Sequence, residues 1–134
     1  MSLIYLDACT IIYIVEAVHP FRKSVIDKID RFRSGHETRL LTSNLSRLEC
    51  RVRPLQEDDA VLLRCYEDFF TKRGLLVMDI TRQIIDVAAD LRARYRFRTP
   101  DAVHLATAID QKADVFLTGD ADLVRCTEVN VESL

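Results

Sequence analysis

Residues 99–122 read TPDAVHLATAIDQKADVFLTGDAD, and the fold class is decided by how this stretch is read. Between Ala102 and Ala108 only His104 and Thr107 are polar, which predicts a helix buried on most of its circumference. Thr99 is the expected cap and Pro100 the first helical residue, a position where the missing N–H costs nothing. The apolar run DVFLT (114–118) then predicts a strand, and GDAD (119–122) a turn rich in residues that favour one. A buried helix feeding straight into a buried strand is the repeating unit of a sheet covered by helices.

The same alternation extends in both directions. LIYL (3–6) predicts a buried strand ending at Asp7, followed by a helix carrying Ile11, Ile12 and Val15. Pro20 opens a second helix, with Val25, Ile29 and Phe32 at helical spacing, and Ser34-Gly35 stops it. RLLTS (39–43) predicts the next strand, and Ser43 or Asn44 caps a helix bearing Leu45, Leu48 and Glu49 that Pro54 should break. From Gln56 to Lys72 the pattern of Val61, Leu62, Cys65 and Phe69 predicts an amphipathic helix ended by Gly74. LLVMDI (75–80) is an expected strand, Thr81 a cap, 82–95 a helix with Ile84, Ile85, Ala88 and Leu91, and VNV (129–131) a last short strand. The prediction is an α/β protein: a three-layer α/β/α sandwich with a central, mainly parallel sheet, formed by one domain over residues 1–134.

Composition narrows the function classes. The chain has 134 residues, 49% hydrophobic and 30% charged, with a net charge of −2, as expected of an ordinary globular domain. No window approaches the ~18 uncharged apolar residues of a membrane span. The start MSLIYLDACT lacks a basic leader region, so a cytoplasmic location is expected. Cys9, Cys50, Cys65 and Cys126 form no CxxC pair, and His19, His36 and His104 are scattered, so no zinc site is expected. Fifteen of the nineteen basic residues are Arg. That bias suits a phosphate-rich partner and equally a GC-rich coding sequence.

In a parallel sheet the functional crevice lies beyond the carboxyl ends of the strands. Asp7 follows the first strand, Glu49 lies on the helix after the second, Asp101 opens its own helix, and Asp120 and Asp122 follow the strand at 114–118. Singly, each has a local reading: a helix cap for Asp7, a helix-dipole partner for Asp101, a turn residue for Asp120 and Asp122, a solvated charge for Glu49. Together they imply more. Neighbouring carboxylates repel by about 1 kcal/mol per pair in water and several-fold more in a desolvated cleft. A cation relieves that repulsion, and oxygen-only donors favour Mg²⁺ or Mn²⁺. Such ions commonly engage phosphates and activate water for phosphodiester attack. There is no GxSxG elbow, no P-loop and no GxGxxG.

Four of these pieces, IYLDACTII, SNLSRLEC, TPDAVHLATAI and VFLTGDADL, resemble in order and separation the motifs of the PIN domain, and most closely the VapC-type toxin ribonucleases. The resemblance spans Ile4 to Leu123. It implies a Mg²⁺- or Mn²⁺-dependent endoribonuclease with Asp7, Glu49, Asp101 and Asp120 as catalytic and metal-binding acids and Asp122 as an accessory acid. Thr118 matches the hydroxyl residue that orients such sites. Where the family often has Asn or Ser, two residues after the first Asp, this chain has Cys9, and Thr10 is a candidate substitute. The resemblance further implies a homodimer and inhibition by a small antitoxin.

RARYRFR (92–98) places Arg at alternate positions. If the segment after the helix is extended, Arg96 and Arg98 face RNA phosphates while Tyr95 and Phe97 face the other way. Arg51 and Arg53, beside Glu49, form a second candidate contact. His104 is expected to pack or hydrogen-bond within the helix layer. Phe69 and Phe70 are open to two readings, core or contact surface. Two further function classes stand beside the nuclease: a non-catalytic PIN-like module binding RNA or protein, and a phosphoacceptor receiver domain, for which neither Lys72 nor Lys112 is well placed.

Overall fold

A computed structural model describes residues 2–34 and 37–134. Five strands form one sheet: β1 (Ser2–Leu6), β2 (Thr38–Ser43), β3 (Leu75–Met78), β4 (Val115–Thr118) and β5 (Val131–Ser133). Their order is β3-β2-β1-β4-β5 and every pairing is parallel. Among the described residues six α-helices flank the sheet: α1 (Ala8–Val15), α2 (Phe21–Arg33), α3 (Asn44–Gln56), α4 (Ala60–Thr71), α5 (Arg82–Tyr95) and α6 (Thr99–Asp110). The expected α/β sandwich is what is observed, with the sheet wholly parallel.

Period-two alternation along the strands builds the two cores. Ile4, Leu6, Leu40, Val115 and Leu117 pack with Ile11, Val25, Ile29, Cys50, Tyr66 and Phe70 beneath α1–α4. Tyr5, Leu41 and Phe116 point the other way, against Ile84, Leu91, Val103 and Leu105 of α5 and α6. Tyr5 and Phe116 are cross-strand partners with rings stacked at 5.0 Å. Phe69 and Phe70 are both buried, which excludes them as a contact surface.

Local caps set most element starts. Asp7, Ser43, Asp59 and Thr81 each accept a backbone N–H from the first turn of the following helix. Several boundaries differ from expectation. Pro54 does not break α3; it lies in the last turn, and the chain stays helical to Gln56, with Glu57 N–H bonded to Arg53 O. Near a helix end the one hydrogen bond lost to proline is outweighed by packing of the buried ring. Consequently α4 begins at Ala60 rather than near Gln56. Helix α6 is capped by Arg98, not Thr99, because Ala102 N–H already reaches Arg98 O at 3.0 Å. β3 stops at Met78 where Asp79 and Ile80 become exposed, and β5 is displaced to 131–133. The turn after β4 continues into a 3-10 helix over Ala121–Arg125. The stop expected at Ser34-Gly35 falls partly outside the described residues; α2 ends at Arg33.

The chain runs outward from β1 to β2 and β3, then returns to place β4 on the other side of β1. This reversal puts the crevice of the sheet between the carboxyl ends of β1 and β4. Asp7 and the Thr118–Asp120 turn are the residues found there.

Candidate active site

Asp7 leaves β1 at the switch point and turns into α1. Its Oδ1 accepts the Thr10 N–H at 3.0 Å, and the Thr10 hydroxyl donates to its backbone carbonyl at 2.9 Å. The side chain is nearly enclosed, with the residue 7% exposed. Burial raises its pKa above the usual carboxylate range, opposed by hydrogen bonds from Thr118 and Thr10 and by the nearby His104. Thr118, the last residue of β4, is buried, and its hydroxyl also accepts the Asp120 N–H at 3.0 Å. One hydroxyl thus ties the first acid to the turn that carries the last.

Asp101 sits in the first turn of α6, where the helix dipole favours a carboxylate. Its Oδ2 accepts from Arg98 Nε at 3.1 Å. Glu49 projects from the middle of α3, and its Oε1 meets His104 Nε2 at 2.7 Å. Asp7, Glu49 and Asp101, with Ala8, Cys9, Arg98 and His104, line one cavity of about 110 Å³. Larger hollows exist, of about 430 Å³ along α3 and 330 Å³ between α5 and α6, but neither is lined by an acid.

The other expected residues fall at the margin. Asp120 is exposed beside the cavity, capping the 3-10 helix through Asp122 N–H at 2.9 Å, and it acts on Cys9 and Arg98 through its charge. Asp122 turns away: Arg125 grips both its oxygens, at 2.7 and 2.9 Å, which holds its pKa low. Thr10 spends its hydroxyl on Asp7, so it does not extend a polar contact into the cavity beside Cys9. Gly119 sits in a tight space: a Cβ there would stand 3.0 Å from Cys9 Sγ and 3.1 Å from the Tyr13 hydroxyl oxygen, so those side chains would have to shift.

The arginines only partly follow expectation. The segment after α5 is not extended, because Arg96 takes a left-handed conformation at φ +62° and turns the chain. Phe97 is nevertheless buried and stacked on Tyr95, so the aromatic pair packs inward. Arg98 reaches the cavity, and its side chain is 78% exposed. Arg51 lies 3.8 Å from Glu67 and lines the hollow along α3, and Arg53 pairs with Glu16.

Sequence reasoning missed the partners of Glu49. His104 Nδ1 lies 2.7 Å from the Tyr5 hydroxyl, so a chain of bonds crosses from β1 through α6 to α3. The available signal was a tyrosine in the otherwise apolar run LIYL (3–6), whose hydroxyl must find a partner when buried.

The donor chemistry suits a hard cation. Carboxylate oxygens from three elements face one cavity, and the arginine that lines it, Arg98, is mostly exposed. Among the described residues no group of three or more His, Cys, Asp or Glu side chains is arranged to hold a metal ion by itself.

Comparison with known proteins adds family and fold. A family model described as the PIN domain matches residues 4–129. No curated protein matches the chain by sequence. Among solved structures, VapBC2 from Rickettsia felis, bound to a DNA fragment from its promoter, superposes with TM-score 0.77 at 14% identity, covering 98% of both chains. A toxin–antitoxin complex from Klebsiella pneumoniae gives 0.73 at 17% identity, covering 96% of this chain and 95% of that one. VapC20 of Mycobacterium tuberculosis, described as a sarcin-ricin loop cleaving toxin, gives 0.72 at 14%, covering 95% and 98%. At these identities the likeness is one of fold. No helix among the described residues is long and apolar enough to cross a membrane.

Proposed function

The chain belongs to the PIN-domain family, and from that premise we propose that it is a Mg²⁺- or Mn²⁺-dependent endoribonuclease, acting as the toxin of a toxin–antitoxin pair. The observation that carries this reading is the convergence of Asp7, Glu49 and Asp101, from three separate elements, on one small cavity at the switch point of the sheet. A scaffold gains nothing from crowding acids there, since their repulsion only costs stability.

In this reading Asp7, held from both sides by Thr10 and Thr118, anchors the acidic set. Asp101 and Glu49 complete it from α6 and α3, and Asp120 joins from the turn after β4. Asp122 keeps an accessory place only if Arg125 releases it. A bound Mg²⁺ or Mn²⁺ would supply Lewis acidity toward the phosphoryl oxygen and toward the attacking water. Overall, water attacks phosphorus in line, the bond to the leaving ribose oxygen breaks, and a phosphate monoester and a free hydroxyl remain. Arg98 and Arg96, and more distantly Arg51, contact the RNA phosphates. The protein acts as a single-domain cytoplasmic homodimer restrained by its own antitoxin, a proposal supported by the toxin–antitoxin complexes that share its fold.

The test is incubation of the purified protein with a panel of structured RNAs, with Mn²⁺ or with chelator, beside Asp7→Asn and Asp101→Asn. Discrete cuts that chelator abolishes and both variants lack are expected, a loss of at least about 100-fold. The non-catalytic alternative is favoured by the Arg98–Asp101 pair, which already neutralises one acid. RNA binding with no cutting in any metal would decide for it.

A further inference from the structure

His104 lies on a stretch of α6, Ala102–Ala108, in which every residue is buried, and the residue itself is 3% exposed. An imidazole there is costly unless both ring nitrogens are bonded. Both are, and to different parts of the fold: Nδ1 to Tyr5 of β1 and Nε2 to Glu49 of α3, each at 2.7 Å. A carboxylate only accepts, so Nε2 carries a proton, and in the neutral ring Nδ1 receives the Tyr5 hydroxyl hydrogen. The ring reaches the cavity wall, and the group it engages there is Glu49.

We infer that His104, aimed by Tyr5, is a positioning residue that fixes the Glu49 carboxylate for cation binding. This rests on the proposed function in taking Glu49 as a cation donor. Glutamate has three side-chain torsions to immobilise, and the other acids of the cavity sit on shorter side chains with local anchors: Asp7 on Thr10 N–H, Asp101 on Arg98. Glu49, from mid-helix, has His104 instead. Only Oε1 is engaged, and among the described residues no hydrogen bond reaches Oε2, which is left for the cavity. Holding the carboxylate in advance removes the entropy cost of ordering it on the ion. Partners of metal-binding groups typically contribute about 10–100-fold in affinity.

The experiment is direct Mn²⁺ titration of the full chain, read by calorimetry and by the spectrum of free Mn²⁺, with thermal melts to confirm folding. His104→Gln can present an amide N–H where Nε2 was; His104→Asn keeps a polar group near Tyr5 but is too short to reach Glu49. His104→Asn is expected to weaken Mn²⁺ binding by about 10-fold, and His104→Gln to recover most of it. Placed on Glu49→Gln, His104→Asn should cause no further loss, which a merely structural role would not produce. Wild-type affinity in His104→Asn, no recovery with Gln, or an undiminished loss on the Glu49→Gln background overturns the inference. If the His104 variants do not fold, Tyr5→Phe carries the test: a loss of about 3-fold or more supports it and unchanged affinity overturns it. If Glu49→Gln binds Mn²⁺ as the wild type does, or the wild type binds none, the assignment of Glu49 as a cation donor fails and this inference with it. If Glu49→Gln weakens binding and His104→Asn does not, only the positioning role fails.

Discussion

Asp7 shows how one residue serves folding and chemistry in opposite senses. Its Oδ1 caps α1, which stabilises the fold, yet its charge is buried, which does not. Asn keeps the accepting oxygen and removes the charge. Asp7→Asn is therefore expected to stabilise the cation-free protein at pH 7 by about 1 kcal/mol, because the amide avoids the cost of burying a charge. Added Mn²⁺ should raise the wild-type Tm and leave the variant nearly unmoved, since only a native-state ligand shifts the midpoint. The arginines make a second residue-scale case. Arg98 is mostly exposed and ion-paired, and Arg96 is held in a turn. Replacing both by Gln should leave the fold intact, weaken RNA binding across sequences, and lower the slope of log affinity against log salt by about 2. An unchanged slope would remove them from the RNA contact.

At the scale of elements, the turns carry the constraint. Gly74, between α4 and β3, has φ +84° and open space where a Cβ would stand. Gly74→Ala should therefore cost only backbone strain, about 1 kcal/mol, measured by denaturant unfolding with an unchanged m-value. Gly119 is the opposite case, limited by Cys9 and Tyr13 rather than by its backbone. The interior of each helix and strand was legible in the sequence because apolar spacing is a local signal. The ends were less so. Pro54 looked like a break, but proline excludes only one hydrogen bond, and near the end of α3 packing decided. Thr99 looked like a cap, but α6 starts one residue earlier, with no side-chain cap.

Across the whole molecule, the sheet order gathers residues far apart in sequence, and a second tie closes its far side. Glu128, before β5, accepts from Arg94 and from Tyr95 near the end of α5, at 2.6 and 2.8 Å. Arg94 foremost, then Tyr95, holds its pKa down, from 4.5 to about 2. A depressed carboxyl pKa contributes stability that is fully present above 4.5 and lost as pH falls toward 2. The Tm gap between the wild type and Glu128→Gln should accordingly be small but measurable at pH 7, narrow below pH 4.5, and close near pH 2. A gap independent of pH would show that packing, not charge, makes this tie. The exposed setting of the pair keeps the expected gap modest.

Element types, the parallel α/β class and the placing of acids at strand and helix ends were determined by the sequence alone, because residue spacing, caps and turn formers act over a few residues. Which acids share a cavity was decided only by tertiary structure. Asp7, Glu49 and Asp101 meet because β4 returns to the open side of β1 and α6 crosses toward α3, while Asp122, two residues from Asp120, turns to Arg125. The pairing of Arg98 with Asp101 and the path from Tyr5 through His104 to Glu49 belong to the same level. The direction a side chain takes at the end of an element depends on neighbours brought in from elsewhere in the chain, and no local pattern encodes them.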